Sequence, residues 1–206
     1  LARLLAFHDA AADTHHLHAD SVEVWVREHP RYEVVRTYLD NDRFAAGLPV
    51  AFAPRNLRRR TASAVYHAGA LDTTDYHNYT HAQHFSYDLH GNVDTLLVDE
   101  PRLRRPGRAD LGFKRVAYDY DLISGKTNRV WYQKDSIDQY FHHYTYDADN
   151  RLTHAFSSRD GLYWQQDAKY FYYLHGPLAR VEVGHNQVQG VDYAYTLQGW
   201  VKGVNS

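Results

Sequence analysis

The sequence predicts an all-β fold, a strip of curved sheet built from tandem β-hairpins, and three observations predict it. One short phrase with two alternate aromatic residues occurs five times, at intervals of 23 to 33 residues that are typical of a tandem array. Of 206 residues 15% are aromatic and 18 are Tyr, a residue enriched in strands. Several Val-containing segments alternate apolar and polar residues between clusters of turn residues. Each copy of the phrase is therefore predicted to be one structural unit.

The repeated phrase is aromatic-x-aromatic, usually Asp, a short spacer, then Gly or Asn. Its five copies contain Phe85, Tyr87, Asp88 and Gly91; Tyr118, Tyr120, Asp121 and Gly125; Tyr144, Tyr146, Asp147 and Asn150; Tyr170, Tyr172, Tyr173 and Gly176; and Tyr193, Tyr195, Thr196 and Gly199. Alternate aromatic residues lie on one face of a strand, and because each Tyr hydroxyl needs a partner or water, this face is predicted to be semi-polar. Asp bonds back to the following backbone and Gly or Asn accepts positive φ, so the phrase predicts a hairpin turn.

The remaining elements are predicted from alternation and turn chemistry. Residues 1–20 contain Leu and Ala at a spacing that allows a short helix. Alternation predicts strands at 21–27, 33–39, 93–98, 128–133 and 178–183. The stretch 49–60 is predicted to be an irregular connection, and Asp160-Gly161 a two-residue hairpin turn.

The chain divides into a divergent first part and a regular second part. Residues 1–78 are predicted to form a divergent N-terminal β segment with degenerate repeats, and residues 79–206 to form the repeat array. An insertion at about 100–112 interrupts the array, which explains the interval of 33 residues between the first two copies. The insertion is expected on the surface, where added loop length costs little.

Composition argues against several classes of function. The chain has no Cys, so it has no disulfide framework and no thiol site. Lys and Arg number 23 against 25 Asp and Glu, and a net charge of −2 argues against a dedicated nucleic-acid-binding domain. The apolar run 1–7 is interrupted by Arg3 and is too short for a membrane span or a convincing signal peptide.

The repeats resemble the YD repeats of the Rhs proteins, a family that includes bacterial polymorphic toxins, the cocoon component of Tc toxins and animal teneurins. The resemblance rests on residues 79–206, above all 144–152 and 85–93, and the stretches 118–126, 172–181 and 193–201 resemble the large Rhs proteins of Bacteroidetes-type bacteria. The resemblance is weaker in the residues before 79. Residues 36–40 resemble a degenerate YD unit, and residues 56–62 resemble a phrase found at this place in such proteins.

The resemblance implies hairpins winding into a hollow shell, with tyrosines toward the lumen, that encloses or displays a C-terminal effector. The implied partners are the rest of the same polypeptide and that effector, and the implied location is secreted or at the cell surface. The sequence lacks the self-cleaving Rhs core and a variable toxin tip, so neither processing nor toxicity is assigned to it.

Two clusters have the residue types of chemical sites. His15, His16, His18 and Asp20 have the chemistry of a zinc or nickel site, but their spacing does not fix a geometry, so the alternative is a solvated His-rich loop. His142 and His143 are adjacent in a strand, which sends them to opposite faces and disfavours a shared metal. No metal or cofactor is therefore expected.

Asp119 and Asp121 are paired carboxylates of the kind used in acid–base catalysis, but Asp121 occupies the turn position of the repeat. No catalytic residue is therefore expected, and the function expected is a structural scaffold that is not an enzyme.

The alternative function is a carbohydrate-binding or adhesion module that uses exposed aromatic residues and Arg loops. The basic clusters available to it are Arg58, Arg59 and Arg60, and Arg102, Arg104, Arg105 and Arg108. A row of solvent-facing rings beside 102–108 would favour this alternative over the scaffold.

Overall fold

The computed structural model describes residues 33–49, 51–69 and 78–205, and these ranges form one antiparallel sheet of 12 strands. The strands lie in the sheet in their sequence order, so every neighbouring pair is a local connection. They are β1 (Val34–Leu39), β2 (Thr61–His67), β3 (His81–Tyr87), β4 (Val93–Asp99), β5 (Phe113–Tyr120), β6 (Thr127–Tyr132), β7 (Tyr140–Tyr146), β8 (Leu152–Ser158), β9 (Gln165–Tyr172), β10 (Leu178–Val183), β11 (Gln189–Tyr195) and β12 (Val201–Asn205). The only helices within these ranges are 3₁₀ turns, at Ala45–Gly47, Pro101–Leu103 and Ala109–Gly112.

The all-β fold class predicted from the sequence is thus confirmed. The strands predicted at 33–39, 93–98, 128–133 and 178–183 correspond to β1, β4, β6 and β10. The short helix predicted within 1–20 and the strand at 21–27 lie outside the described residues. The sheet is continuous across residue 78, because Val65 of β2 pairs with Ala82 of β3.

The two faces of the sheet differ in what covers them. On one face, here called the tyrosine face, the aromatic residues of the repeats stack along their own strands: the Phe85 and Tyr87 rings are 6.4 Å apart, and the Tyr118 and Tyr120 rings are 6.2 Å apart. Their alternation in the strand places them on one side. The opposite face is called the covered face, because the loop 40–60 packs against it over the first strands.

The most buried part of the protein lies on the covered face of the first four strands. Phe44, from the loop 40–60, packs against Val65 and Ala82, and its ring makes edge contacts with Tyr38 and Tyr79, with ring centroids 5.5 Å apart in both cases. Loops that carry a large aromatic residue can cover a sheet face in this way because the buried ring contributes apolar area. The core is therefore concentrated near the N-terminal end of the described sheet.

Two buried carboxylates join the loops to the covered face. Asp42, in the loop 40–60, lies 2.8 Å from Nδ1 of His84, and both side chains are fully buried. Asp99 is also buried; it accepts hydrogen bonds from Arg104, at 2.6 Å, and from the hydroxyl of Tyr79, at 2.5 Å. Removing one partner of such a pair would leave an uncompensated buried polar group, so these contacts fix where each loop sits.

The connection between β8 and β9 differs from its prediction. Asp160-Gly161 does not form a two-residue turn, because β8 ends at Ser158 and β9 begins at Gln165, which leaves a loop of residues 159–164. Asp160 Oδ1 accepts the backbone N–H groups of Leu162 at 2.9 Å and Tyr163 at 3.0 Å. These bonds stabilise a wider turn, since an Asp side chain competes with the backbone ladder for nearby N–H groups.

Candidate functional site: the repeated turn and the tyrosine latch

Every copy of the phrase closes a hairpin with the same backbone hydrogen bond. The residue after the second aromatic position donates its N–H across the turn to a carbonyl: Asp88 to Asn92, Asp121 to Lys126, Asp147 to Arg151, Tyr173 to Pro177 and Thr196 to Trp200, at 2.8 to 3.0 Å. The residue just before the acceptor has positive φ in all five copies: Gly91 (100°), Gly125 (69°), Asn150 (62°), Gly176 (115°) and Gly199 (85°). This is the left-handed conformation that Gly and Asn adopt most easily.

The turn carboxylates are occupied by backbone N–H groups. Asp121 Oδ1 accepts bonds from the backbone N–H and the hydroxyl of Ser124, and these bonds lower the pKa of Asp121. Arg151 donates its backbone N–H and its guanidinium to Asp147 and lowers the pKa of that carboxyl. Burial works to raise the pKa of Asp88, but hydrogen bonds from Asn92 and Gly91 lower it overall.

These carboxylates are therefore ionised acceptors that hold a turn, which is the opposite of the raised pKa that a general acid needs at neutral pH. Asp119 lies in β5 and pairs across strands with Arg129. One of the two carboxylates suggested by the sequence as a catalytic pair thus lies in a strand and the other in a turn.

A register shift accompanies the second aromatic residue of the repeat. The pairing of the two strands slips by one residue at Ser86/Tyr87, Asp119/Tyr120, Thr145/Tyr146 and Ala194/Tyr195. In the hairpin of β9 and β10 the shift lies on the other strand, between Leu178 and Arg180. Such a bulge bends a strand and increases its twist. Repetition of the bulge at each hairpin gives the sheet a regular source of curvature.

Four of these second tyrosines, here called the latch tyrosines, bind the preceding hairpin. Each donates its hydroxyl to the carbonyl of the first residue in the preceding strand: Tyr87 to Thr61 at 2.9 Å, Tyr120 to Val93 at 2.9 Å, Tyr146 to Thr127 at 2.8 Å and Tyr172 to Leu152 at 2.8 Å. Burial raises the pKa of each latch tyrosine. A side chain of one repeat unit thus satisfies a backbone group of the unit before it.

An arginine covers the ring of two latch tyrosines. The Arg60 guanidinium lies 5.4 Å from the Tyr87 ring centroid, and that of Arg151 lies 4.8 Å from the Tyr172 ring centroid. The two arginines occupy the same place, immediately before the strand whose first carbonyl accepts the latch bond. A cation over an aromatic face contributes about 0.5–1 kcal/mol at exposed sites.

The fourth copy of the phrase differs from the first three at the turn position. Tyr173, in the position that Asp holds in the first three copies, donates its hydroxyl to the Tyr193 carbonyl of the fifth copy at 2.9 Å, and its ring packs edge-on against Tyr195. The first aromatic residues stay on the tyrosine face: Tyr144 stacks on His142, and Tyr170 pairs across strands with Val181.

The structure contains a sixth hairpin of the same kind, which joins the two fragments 36–40 and 56–62. Asp40 donates its N–H to the Arg60 carbonyl at 3.1 Å, Arg59 has φ of 58°, and Arg59 N–H binds the Asp40 carboxylate. Leu39 takes the latch position, opposite Thr61, without a hydroxyl. The one available signal was the Asp40 and Arg59-Arg60 pair itself, but 18 residues separate Asp40 from Arg59, so spacing could not join them.

The same hairpin explains the basic cluster at Arg58, Arg59 and Arg60, which closes a turn. The second cluster is also partly neutralised: Arg104 pairs with buried Asp99, and Arg108 pairs with Asp110 at 3.0 Å. The large apolar side chains exposed near it include Leu103 but no ring. The arrangement that would favour carbohydrate binding beside 102–108 is thus not what the described residues show.

The predicted metal candidates are not brought together. His142 stacks on Tyr144 of the tyrosine face, whereas His143 contacts Phe156 and Trp164, so the two adjacent imidazoles face opposite ways as predicted. No cluster of three or more His, Asp or Glu suited to a metal occurs within 33–49, 51–69 and 78–205. The cluster at 15–20 lies outside these ranges.

A groove of about 1030 Å³ lies on the covered face. It lies between the loop 40–60, the connection 100–112 and the loop after β6, with Phe52, Leu97 and Phe113 among its apolar lining. Its rim is charged, and Lys114 pairs there with Asp138 at 2.5 Å. No helix in the described part of the chain is long and apolar enough to cross a membrane.

The comparisons with known proteins give a likeness of fold. No protein-family model and no curated protein matches the chain. A crystal structure of TcdB2-TccC3 matches 82% of this chain with a TM-score of 0.53 at 14% identity, and one without the hypervariable C-terminal region matches 72% with a TM-score of 0.50 at 15% identity. The Photorhabdus luminescens Tc holotoxin pore matches 74% of the chain at 12% identity, and its TM-score of 0.36 carries no argument. This chain spans 7–8% of the length of the first two structures, so its fold is similar to that of a short section of each.

Proposed function

We propose that this chain is a structural scaffold, a wall section of a Rhs-type YD-repeat shell, without catalysis of its own. The observation that carries the proposal is the latch, which joins four successive hairpins each to the one before it through a tyrosine hydroxyl and a backbone carbonyl. A sheet that grows by identical local joints can be extended without changing its core, which suits a wall. The likeness of fold to TcdB2-TccC3 supports the same class of protein.

The finer parts of the proposal come from the family resemblance. The chain would belong to a larger secreted or surface polypeptide of the Bacteroidetes-type Rhs kind, and the wall would enclose or display a C-terminal effector. The predicted division into a divergent segment 1–78 and a repeat array 79–206 would make the first part a variant start of the same wall. The tyrosine face would line the lumen, since its semi-polar rings suit a wetted surface.

The shell is tested by imaging the full-length product of the gene that encodes this chain. Electron microscopy of the purified product is expected to show a hollow shell, and protease is expected to spare a C-terminal segment until detergent or denaturant opens it. A compact particle without a lumen, or a C-terminal segment that is cleaved at once, would refute the shell.

The absence of catalysis is tested on the purified chain with panels of ester, peptide, glycoside and nucleic-acid substrates. Because the Asp121 carboxylate is held by Ser124 in the turn, no turnover is expected. Activity that disappears in an Asp121→Asn variant, with its unfolding curve unchanged, would overturn the scaffold assignment.

A further inference from the structure

The loop between β8 and β9 differs from the other connections between hairpins in having a small polar cavity beside two tyrosines. The cavity is about 280 Å³ in volume, and it is lined by Tyr140, Ser157, Ser158, Arg159, Asp160, Tyr163 and Gln165. This volume is slightly below the range of about 300–1000 Å³ for drug-sized ligands, so it suits one small ring. Ser157 pairs with Gln165 and with His142, which places the cavity at the tyrosine face, at the end of the sheet away from the repeat turns.

The loop is held in one conformation by its own hydrogen bonds. Asp160 Oδ1 accepts the N–H groups of Leu162 and Tyr163 and the hydroxyl of Ser158, and the Trp164 indole N–H binds the Gly161 carbonyl at 3.1 Å. Gly161 has φ of 74°, which its lack of a side chain permits. A ligand that bound here would not have to order the loop, and preorganisation of this kind favours affinity.

The polar groups around the cavity include both donors and acceptors. All three bonds to Asp160 end on Oδ1, so Oδ2 retains its lone pairs for a ligand. No ion pair joins Arg159 to a carboxylate within the described ranges, and its guanidinium offers donors only. Gln165 adds an amide, which can both donate and accept.

The apolar part of the cavity is aromatic and open to solvent. Tyr163 is 66% exposed, well above Tyr173 of the fourth repeat at 38%, and Tyr140 is 37% exposed. An exposed ring that no part of the protein covers is an apolar surface next to hydrogen-bonding groups. A neutral sugar matches both, because a pyranose has an aliphatic C–H face and a rim of hydroxyl groups, and the opposite charges of Arg159 and Asp160 favour no net charge on the ligand.

We propose that the loop between β8 and β9 is a binding site for a neutral pyranose. The sugar stacks its C–H face on Tyr163, and its hydroxyl groups donate to Asp160 Oδ2 and accept from Arg159. This site lies away from the Arg102–Arg108 cluster, and it does not rest on the shell proposal, because a small module and a wall section could both carry it.

The experiment uses the full chain and three probes, the methyl glycosides of glucose, galactose and mannose, followed by saturation-transfer NMR. At least one probe is expected to bind saturably, with a dissociation constant in the millimolar range, which corresponds to about −4 kcal/mol. Tyr163→Phe is expected to keep the affinity, because the ring stays, and Tyr163→Ala to weaken it about tenfold or more.

Two further variants test the polar contact to the sugar and provide a control in the same loop. Arg159→Ala changes a solvent-exposed side chain and is expected to weaken binding without affecting folding, whereas Leu162→Ala, in the same loop but outside the cavity and 88% exposed, is the matched control and is expected to bind as the parent does. Adenosine, a ligand with an aromatic ring, is the control for a site that selects flat rings rather than sugars. The proposal is overturned if no glycoside saturates the chain, if Tyr163→Ala and Arg159→Ala bind the glycosides normally, or if adenosine binds and the sugars do not. None of these results would bear on the shell, which imaging tests separately.

Discussion

Removal of one latch hydroxyl should lower the free energy of unfolding by about the contribution of one hydrogen bond. In Tyr120→Phe the ring keeps its place beside Tyr118, but the Val93 carbonyl loses a donor at 2.9 Å. The net worth of a neutral hydrogen bond is roughly 0.5–1.5 kcal/mol, so we expect the free energy of unfolding to fall by about 1 kcal/mol. That is a measurable part of the ~5–15 kcal/mol that stabilises a typical domain.

The matched control is Tyr118→Phe, on the same strand and the same face. Tyr118 contributes its ring to the stack, but its hydroxyl has no hydrogen-bond partner in the described part of the chain, so a change of less than about 0.5 kcal/mol is expected. Both variants are compared with the parent by urea unfolding, in which the midpoint should shift and the slope should stay the same.

The effect should also accumulate along the sheet. Tyr120, Tyr146 and Tyr172 bind three different hairpins, so the triple Phe variant is expected to lose about 3 kcal/mol if the sites are independent. Equal losses in Tyr118→Phe and Tyr120→Phe would show that the rings matter and the hydroxyl bond does not, and this would refute the latch.

The remaining predictions concern turns, pH and the sheet edge. Gly199→Val and Gly91→Val should each destabilise the chain by more than ~1 kcal/mol, since a β-branched residue is strained at φ of 85° and 100°. Asn150→Gly should be tolerated, and unchanged urea midpoints in the two Val variants would contradict the turn assignment. Burial raises the pKa of the latch tyrosines above the unfolded value of about 10. Their contribution to stability should therefore be complete below about pH 10 and be lost as the pH rises through the folded pKa. A free energy of unfolding that stays level up to about pH 11 would count against this prediction. The edge strand β12 is exposed along its length, so the isolated chain is expected to self-associate. Light scattering across a concentration series measures this, and Val204→Lys should reduce the association. A parent chain that stays monomeric at high concentration would show that the edge is protected.

The sequence and the structure differ in how closely they locate the segment predicted to drive self-association. The sequence indicates both Val191–Leu197 and Trp200–Val204 as segments prone to edge pairing, because they alternate or run apolar with little charge. In the described sheet β11 is paired on both sides, whereas β12 is one of the two edge strands, with β1 at the opposite end. Strand order decides this, and strand order is not a property of either segment alone.

The sequence by itself determined the β-hairpins and the positions of their turns, because turn chemistry is local: an Asp, a short spacer and a residue that tolerates positive φ lie within a few residues of one another. Only the tertiary structure decided which carbonyl each latch tyrosine binds, that Asp40 and Arg59 belong to one hairpin, and that Asp42 meets His84 on the covered face. It also decided that Asp160-Gly161 begins a wider loop with a cavity. The latch, Asp40–Arg59 and Asp42–His84 contacts join residues from 19 to 42 positions apart through packing and burial, and a pattern read along the chain does not contain the distances that create them.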